Sequence, residues 1–256
     1  MNKTKEIMKQ QRVCVMVPTY NNAGTVVDVV KGILQLTDDL IVVIDGCTDD
    51  TRERLDEAGL DVVRVDYPQN RGKGHALLAG FEKALAMDYD YAITIDADGQ
   101  HLPEDIPVFL EALQQHPDSL IIGARNLHQE NMSSGSTFAN KFSNFWFKLQ
   151  TGIALSDTQT GYRLYPLRRL TGKRFITSRY EAELELLVFS AWANIPIHEV
   201  PVNVYYPPKE ERVSHFRPFV DFLRISILNT VLCFLAVVYG WPRRIIHQLK
   251  HHGKTL

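Results

Sequence analysis

Between residues 12 and 124, short β-branched runs alternate with stretches whose apolar residues recur every three or four positions, and no other feature limits the fold as strongly. Runs at 12–17, 40–45, 61–66, 91–96 and 119–124 read as strands. Between them Val26, Val29, Val30 and Ile33, then Leu77, Phe81 and Leu85, then Ile106, Phe109, Leu110 and Leu113 fall at helical spacing. Strand and helix in turn give an α/β fold, a mainly parallel central sheet flanked by crossover helices. With 45% of 256 residues hydrophobic, the chain can bury one large core around that sheet.

After residue 124 the alternation stops. A polar segment, 126–136, precedes an apolar stretch at 138–155 that reads as a helix; 180–193 reads as another helix and 197–205 as a strand ending at Pro207-Pro208. With no internal repeat and no low-complexity linker, the simplest division is a polar N-terminal segment (1–11), one main domain (12–218) and a C-terminal helical segment (219–256). Residues 225–242 of the last segment carry no charge and lie between Arg224 and the pair Arg243 and Arg244. That length is marginal for a membrane span, and Ser226, Asn229 and Thr230 weaken the spanning reading, whereas Tyr239 and Trp241 beside arginine suit a headgroup zone. Two readings stand: an amphipathic helix at a membrane interface, or a C-terminal helix packing on the core.

The formal net charge of −2 argues against a dedicated nucleic-acid binder. It also hides a split, because residues 209–256 hold eight basic side chains against three acidic ones while residues 1–208 hold 20 against 27. An acidic body with a basic tail is expected to meet an anionic surface, here a phosphate-rich lipid surface at the cytoplasmic face, touched rather than spanned. Cys14, Cys47 and Cys233 are far apart and odd in number, which indicates neither a disulfide framework nor a zinc site and fits a reducing cytoplasm. The first eleven residues lack the apolar run of an export signal.

Chemistry-bearing residues gather where the strands end. Ile95-Asp96-Ala97-Asp98-Gly99-Gln100 carries two carboxylates separated by one residue at the carboxyl end of a parallel strand, where ligands of α/β sheets sit. Such a pair can share a hard divalent cation, with Gln100 as a further oxygen donor, and a cation there neutralises a departing diphosphate. Asp45 ends the second run and can accept hydrogen bonds from a base or ribose, whereas Thr48 and Asp49 after it read as a helix cap. Val17-Pro18-Thr19-Tyr20-Asn21-Asn22 brings an aromatic ring and two amides to the same edge. Asn70-Arg71-Gly72-Lys73-Gly74-His75 sets two glycines and two cations at a helix start, a site suited to an anion, although it matches neither GxGxxG nor GxxxxGK[ST].

Taken together and in this order, the Pro-Thr-Tyr-Asn, Asp-Gly-Cys-Thr-Asp-Asp-Thr, Asn-Arg-Gly-Lys-Gly and Asp-Ala-Asp-Gly-Gln segments resemble a family 2 glycosyltransferase of GT-A fold. The resemblance is to the branch of dolichyl-phosphate mannosyltransferase and related polyprenyl-phosphate glycosyltransferases, and it runs from about residue 12 to residue 217. It implies that Pro18, Tyr20, Val43 and Asp45 line the nucleotide site, with Asn22, Lys73 and the backbone of Ala97 contributing. Asp96, Asp98 and Gln100 would hold Mg2+ or Mn2+. Gly123-Ala124-Arg125 resembles the family's Gly-Ser-Arg, whose arginine faces the acceptor phosphate, and Lys141 falls near a second basic position. The segment Asp157-Thr158-Gln159-Thr160-Gly161-Tyr162-Arg163 would shape the acceptor side through Gln159 and Arg163. Arg212-Val213-Ser214-His215 resembles Arg-x-Ser-Lys, which puts Arg212 and His215 on the donor phosphates. Two positions depart from the family: Asn22 stands where glutamate is usual, and His215 replaces lysine, so one positive charge there depends on pH.

The activity implied is metal-dependent, inverting transfer of a sugar from a nucleoside diphosphate sugar to a lipid-linked acceptor, foremost a polyprenyl phosphate. A phosphate monoester has a second pKa of about 6, so this acceptor is largely ionised at neutral pH and needs no general base. A hydroxyl acceptor on a glycan or glycolipid would need one, from Asp157, Glu181 or Glu183, the last two being i, i+2 on one helix and unable to face one site together. With Asp98 on the donor side, Asp157 and Glu181 are the expected catalytic carboxylates. A nucleotidyltransferase would carry a Gly-rich loop with arginine where Pro18-Thr19-Tyr20-Asn21 stands. A non-catalytic nucleotide- or carbohydrate-binding module would have no need of both metal carboxylates.

Overall fold

In a computed structural model of the chain, which describes residues 3–125, 134–172, 177–206 and 218–252, the strands form one seven-stranded sheet. They are β1 (Val13–Thr19), β2 (Leu40–Asp45), β3 (Val63–Tyr67), β4 (Tyr91–Thr94), β5 (Leu120–Arg125), β6 (Arg163–Pro166) and β7 (Ile197–Val202), in the order β3-β2-β1-β4-β6-β5-β7. The helices are α1 (Lys3–Gln11), α2 (Val26–Leu34), α3 (Thr51–Glu57), α4 (Lys73–Ala86), α5 (Ile106–Gln115), α6 (Ser134–Thr151), α7 (Leu167–Leu170), α8 (Glu181–Trp192), α9 (Pro218–Leu235) and α10 (Trp241–His252).

β1 and β2 are buried along their whole length, as expected of near-continuous apolar strands covered on both faces. Val13, Val15 and Val17 point into one core with Ile33 of α2 and Phe109 and Leu110 of α5. Cys14 and Met16 point into the other, with Phe81 of α4 and Leu187 and Trp192 of α8. The alternation along β1 therefore builds three layers, helices on either side of one sheet.

Pairing fixes where the site lies. β1, β2, β3 and β4 pair in parallel; β6 runs antiparallel to both β4 and β5, and β7 is parallel to β5. The carboxyl ends of six strands and the amino end of β6 thus share one edge. β6 went unread in the sequence because it has four residues, shows no alternation and opens on a buried arginine.

Both chain ends pack on this frame. The N-terminal segment, polar by composition, forms α1 and buries Met8 completely in the first core. α9 continues through a π turn, Ala236–Gly240, into α10, and Phe222–Ile246 is long and apolar enough, by length and composition, to cross a membrane. One face of it enters the second core through Leu228, Leu232 and Ala236. There the buried Gln150 Nε2 donates to Asn229 Oδ1 at 2.9 Å, and Trp192 Nε1 donates to the Gln150 carbonyl at 2.9 Å. The opposite face exposes Phe222, Leu223, Ile227, Phe234, Val237 and Val238. The core-packing reading holds for one face of this helix, and the other face is apolar and exposed. Trp192→Ala, which removes a fully buried indole and its hydrogen bond, is expected to lower the unfolding free energy by about 3–5 kcal/mol, read from urea unfolding.

Candidate active site

β4 ends at Thr94, whose hydroxyl donates to the Gly161 carbonyl at 2.6 Å and ties the strand to the turn that enters β6. Two residues on, the Asp96 carboxylate meets the ammonium of Lys73, the first residue of α4: Nζ lies 2.8 Å from Oδ1 and 3.1 Å from Oδ2. The same Nζ is 2.9 Å from Glu183 Oε2 on α8. Gly161 permits this convergence, since a Cβ at that position would stand 2.5 Å from Asp96 Oδ2 and 2.8 Å from Lys73 Nζ. Burial works to raise the Asp96 pKa, but Lys73, aided by His101 and Arg163, outweighs it and holds the carboxylate below its ordinary range. Asp98 behaves oppositely: burial, then repulsion from Asp96, push it up to about 6, against a hydrogen bond of 3.0 Å from the Gln100 amide. Gln100 itself is half-buried, and its carbonyl accepts from the Tyr205 amide at 2.8 Å.

The Arg71-Gly72-Lys73-Gly74 loop is built differently from the anion cradle its sequence suggests. The Arg71 and Gly72 amides donate to the two carboxylate oxygens of Asp45 at 2.8 and 2.9 Å, and the Gly74 amide donates to the Ser178 carbonyl at 2.9 Å. Gly72, at φ +93°, passes so close to Ser178 that a Cβ would lie 2.5 Å from its carbonyl oxygen. Asp45, expected to serve a base or ribose, is buried, and each of its oxygens accepts from an amide of the loop that leads to Lys73.

Neighbouring residues expected at the nucleotide also serve the frame. Pro18 and Val43 are buried register partners in β1 and β2, so neither side chain opens onto the edge. Asn22 is buried too: its Oδ1 accepts from the Thr19 hydroxyl and the Tyr20 amide, and its own amide donates to Thr51 Oγ1 at 3.0 Å. Tyr20 is half-buried at the strand end, and Thr25 Oγ1 donates to the Ala97 carbonyl at 2.6 Å. Asp49 accepts from the Thr51 amide at 3.1 Å at the start of α3, while the Thr48 amide donates to Asn21 Oδ1.

On the acceptor side, Arg125 at the end of β5 grips Asp157 through Nε at 2.5 Å and Nη2 at 2.9 Å. Asp157 is fully enclosed and also accepts from Asn140 Nδ2 and from the Gln159 and Thr160 amides. Burial would raise its pKa, yet Arg125 and these amides keep it below the usual carboxylate range. A sealed, ionised and fully bonded carboxylate takes no proton from a substrate, so Asp157 is an anchor for Arg125 instead of the base candidate read from the sequence. Arg163 is corrected likewise: it is fully buried, with Nη2 donating to the Thr158 carbonyl at 2.8 Å and Nη1 to the Glu183 carbonyl at 2.9 Å, and it joins the β6 turn to α8 rather than facing an acceptor. Gln159 and Lys141 are exposed, Gln159 Nε2 donating to the Ala139 carbonyl at 3.3 Å.

Glu181 is buried at the head of α8, and it is Glu183 that reaches Lys73. His101 was missed. It is buried, pushed down to about 4 chiefly by burial, and stands between the charges of Asp96 and Arg125; its place directly after Gln100 was the available signal. Arg212, His215 and most of the polar 126–136 segment lie outside the described residues.

The model of glycosyl transferase family 2 matches residues 14–167, which span every strand end just described except those of β5's partner β7 and the α8 head. The chain belongs to that family. Among relatives of this glycosyltransferase, the UDP-N-acetylglucosamine–dolichyl-phosphate N-acetylglucosaminyltransferase of Methanococcus voltae is 26% identical, over 78% of this chain and 88% of the relative. The undecaprenyl-phosphate mannosyltransferase of Micrococcus luteus is 29% identical, over 75% and 83%. The glucosyl-3-phosphoglycerate synthase of Mycobacterium tuberculosis, solved with Mn2+, UDP and phosphoglyceric acid, matches with a TM-score of 0.68 at 21% identity, covering 91% of this chain and 81% of that one. At that identity the likeness is one of fold, the GT-A fold.

The Arg125–Asp157 pair gives this glycosyltransferase a defined response to acid. Asp157→Asn is expected to cost up to about 3 kcal/mol of stability at pH 7, because a half-buried guanidinium loses its fully buried partner. The wild-type advantage is fully present above the ordinary carboxylate pKa of about 4 and disappears as pH falls through the depressed folded value. Denaturant unfolding of both proteins between pH 3 and 7 measures this.

Proposed function

We propose that the protein transfers a sugar from a nucleoside diphosphate sugar to a polyprenyl phosphate at a membrane surface, with a divalent cation and with inversion at the anomeric carbon. The observation that carries this reading is the placement of the Asp96–Asp98 carboxylates and the Arg125 guanidinium on one sheet edge, with only β6 between their strands. The relatives' names support the acceptor: they differ in the sugar and share a lipid phosphate.

The donor set fits the cation. Asp96 and Asp98 are hard oxygen donors at one strand end, and burial, then repulsion from Asp96, raises Asp98 to about 6. Among the described residues no third carboxylate, imidazole or thiol joins them as a metal-ligating group. This suits Mg2+ or Mn2+, which are commonly held by one or two carboxylates together with substrate phosphates and water. Asp96, Asp98 and Gln100 would hold it, and when bound it supplies positive charge to the leaving diphosphate.

A phosphate oxygen of the acceptor attacks the anomeric carbon on the face opposite the diphosphate. The bond from that carbon to the diphosphate oxygen breaks, and its electron pair leaves with the diphosphate. Arg125 orients the acceptor phosphate, held rigid by Asp157, and Lys73 adds positive charge beside the donor. No proton has to be removed. A hydroxyl acceptor suits the site less well, because Asp157 is sealed, Glu183 is paired with Lys73, and Glu181 Oε2 is enclosed.

The membrane contact is the exposed apolar face of α9 and α10, continued by Phe138, Phe145 and Leu149 of α6; the Phe142 and Phe222 rings, 5.9 Å apart, join the two helices. Lys141, Lys148, Arg243 and Arg244 supply cations for anionic headgroups.

Asp98→Ala is expected to lower transfer of labelled sugar into extracted polyprenyl phosphate by about 100-fold or more while the melting temperature holds. Unchanged transfer from every donor tried would end the metal-dependent reading. Because the buried face of α9 belongs to the core, the membrane reading is better tested by Phe234→Glu with Val238→Glu than by truncation. The double variant is expected to lose flotation with anionic liposomes and keep its fold.

A further inference from the structure

The Lys73 ammonium contacts both oxygens of Asp96, the atoms a cation at this strand end would need. Its other ionic partner, Glu183, comes from a different layer. Glu183 is buried, its Oε1 has no hydrogen-bond partner, and among the described residues Lys73 is the one group its carboxylate bonds. Its backbone is fixed as well, since its carbonyl accepts from the fully buried Arg163. Burying a carboxylate with a single ion-pair partner is costly, and besides Lys73 the Glu183 charge has the buried Arg163 guanidinium as an electrostatic neighbour. The geometry accounts for that charge as an alternative seat for the ammonium.

We propose that Glu183 is a positioning residue of the donor site, holding the Lys73 ammonium in place when Asp96 is taken over by the divalent cation that accompanies a nucleoside diphosphate. The inference rests on the donor-site reading given above. With Glu183 charged, Lys73 releases one or both Asp96 oxygens without leaving its pocket, and its positive charge stays beside the phosphates. With Glu183 neutral, Asp96 is the ammonium's sole carboxylate partner, and Lys73 competes with the cation for it. Gly161 leaves the room in which this exchange takes place, since a Cβ there would stand 2.5 Å from Asp96 Oδ2 and 2.8 Å from Lys73 Nζ.

The test is binding of Mn2+ to the full chain, followed by the electron paramagnetic resonance signal of free Mn2+ in saturating UDP, with GDP as a second series. Glu183→Gln, which keeps the side-chain shape, is expected to weaken Mn2+ binding about tenfold. Adding Lys73→Met to Glu183→Gln is expected to restore it, because the competitor is gone; a merely structural role for Glu183 predicts no such rescue. Lys73→Met alone is expected to bind Mn2+ more tightly than wild type, and this arm stands even if Glu183→Gln fails to fold. Equal Mn2+ affinity in Glu183→Gln and wild type, failure of the rescue, or no tightening in Lys73→Met overturns the proposal while leaving the donor-site reading intact. If wild type binds no Mn2+ with either nucleotide, the donor-site reading falls and this inference with it.

Discussion

An ammonium buried between carboxylates from two layers of the molecule is the constraint from which much of the rest follows. Lys73 stands at the head of α4, Asp96 just beyond β4 and Glu183 in the first turn of α8, so one cation joins a helix of one connection, the central sheet and a helix that arrives more than a hundred residues later. Ionised groups leave water at a cost that only close, well-directed partners offset. That requirement reaches outward: Asp45 must collect the Arg71 and Gly72 amides to aim the loop, position 161 must lack a side chain, and Arg163 must brace the head of α8 from inside the core. Local sequence at each of these places is subordinate to one charge cluster.

The β5 side of the edge obeys the same rule with the signs exchanged. Arg125 is kept in one pose by a carboxylate that is itself saturated by amides, so the guanidinium is pre-oriented before any phosphate arrives. Asp98 is the exception, left near a strand end with its pKa raised to about 6, first by burial and then by repulsion from Asp96, whose own carboxylate is paired with Lys73. A site with one carboxylate neutralised internally and another under repulsion is primed for added positive charge. That asymmetry separates the β4 side of the edge from the β5 side without any difference in fold.

The alternation of strand and helix to residue 124 was legible because parallel strands covered on both faces must be apolar throughout, and β1 and β2 are. The Asp96–Asp98 pair was legible because two carboxylates one residue apart stand just beyond an apolar strand. What misled was the assumption that a polar residue near a site faces it. Asp45, Asn22, Asp157 and Arg163 are all polar and close to the edge, and all turn inward to satisfy backbone amides, carbonyls or one another. Burial of a polar side chain with its partner is a tertiary fact, and a linear pattern carries no trace of it. Glu183 reads in the sequence as a general-base candidate and half of an i, i+2 pair, and its ion-pair partner lies 110 positions away.

The C-terminal helix shows why length and composition alone decide little. At 1.5 Å per residue, the 25 residues of Phe222–Ile246 reach about 37 Å, enough to cross a hydrocarbon core of about 30 Å. To do so the helix would have to withdraw Leu228, Leu232 and Ala236 from the second core and carry Asn229 away from Gln150 into lipid. It would also uncover Trp192, which is completely buried beneath it. Lying flat demands none of this: the docked face stays docked, and the apolar face that water now touches is the one a membrane surface would cover. The packing that makes the helix part of the core therefore weighs against its passage through a bilayer, and holds the site's edge at a fixed place relative to the exposed apolar face.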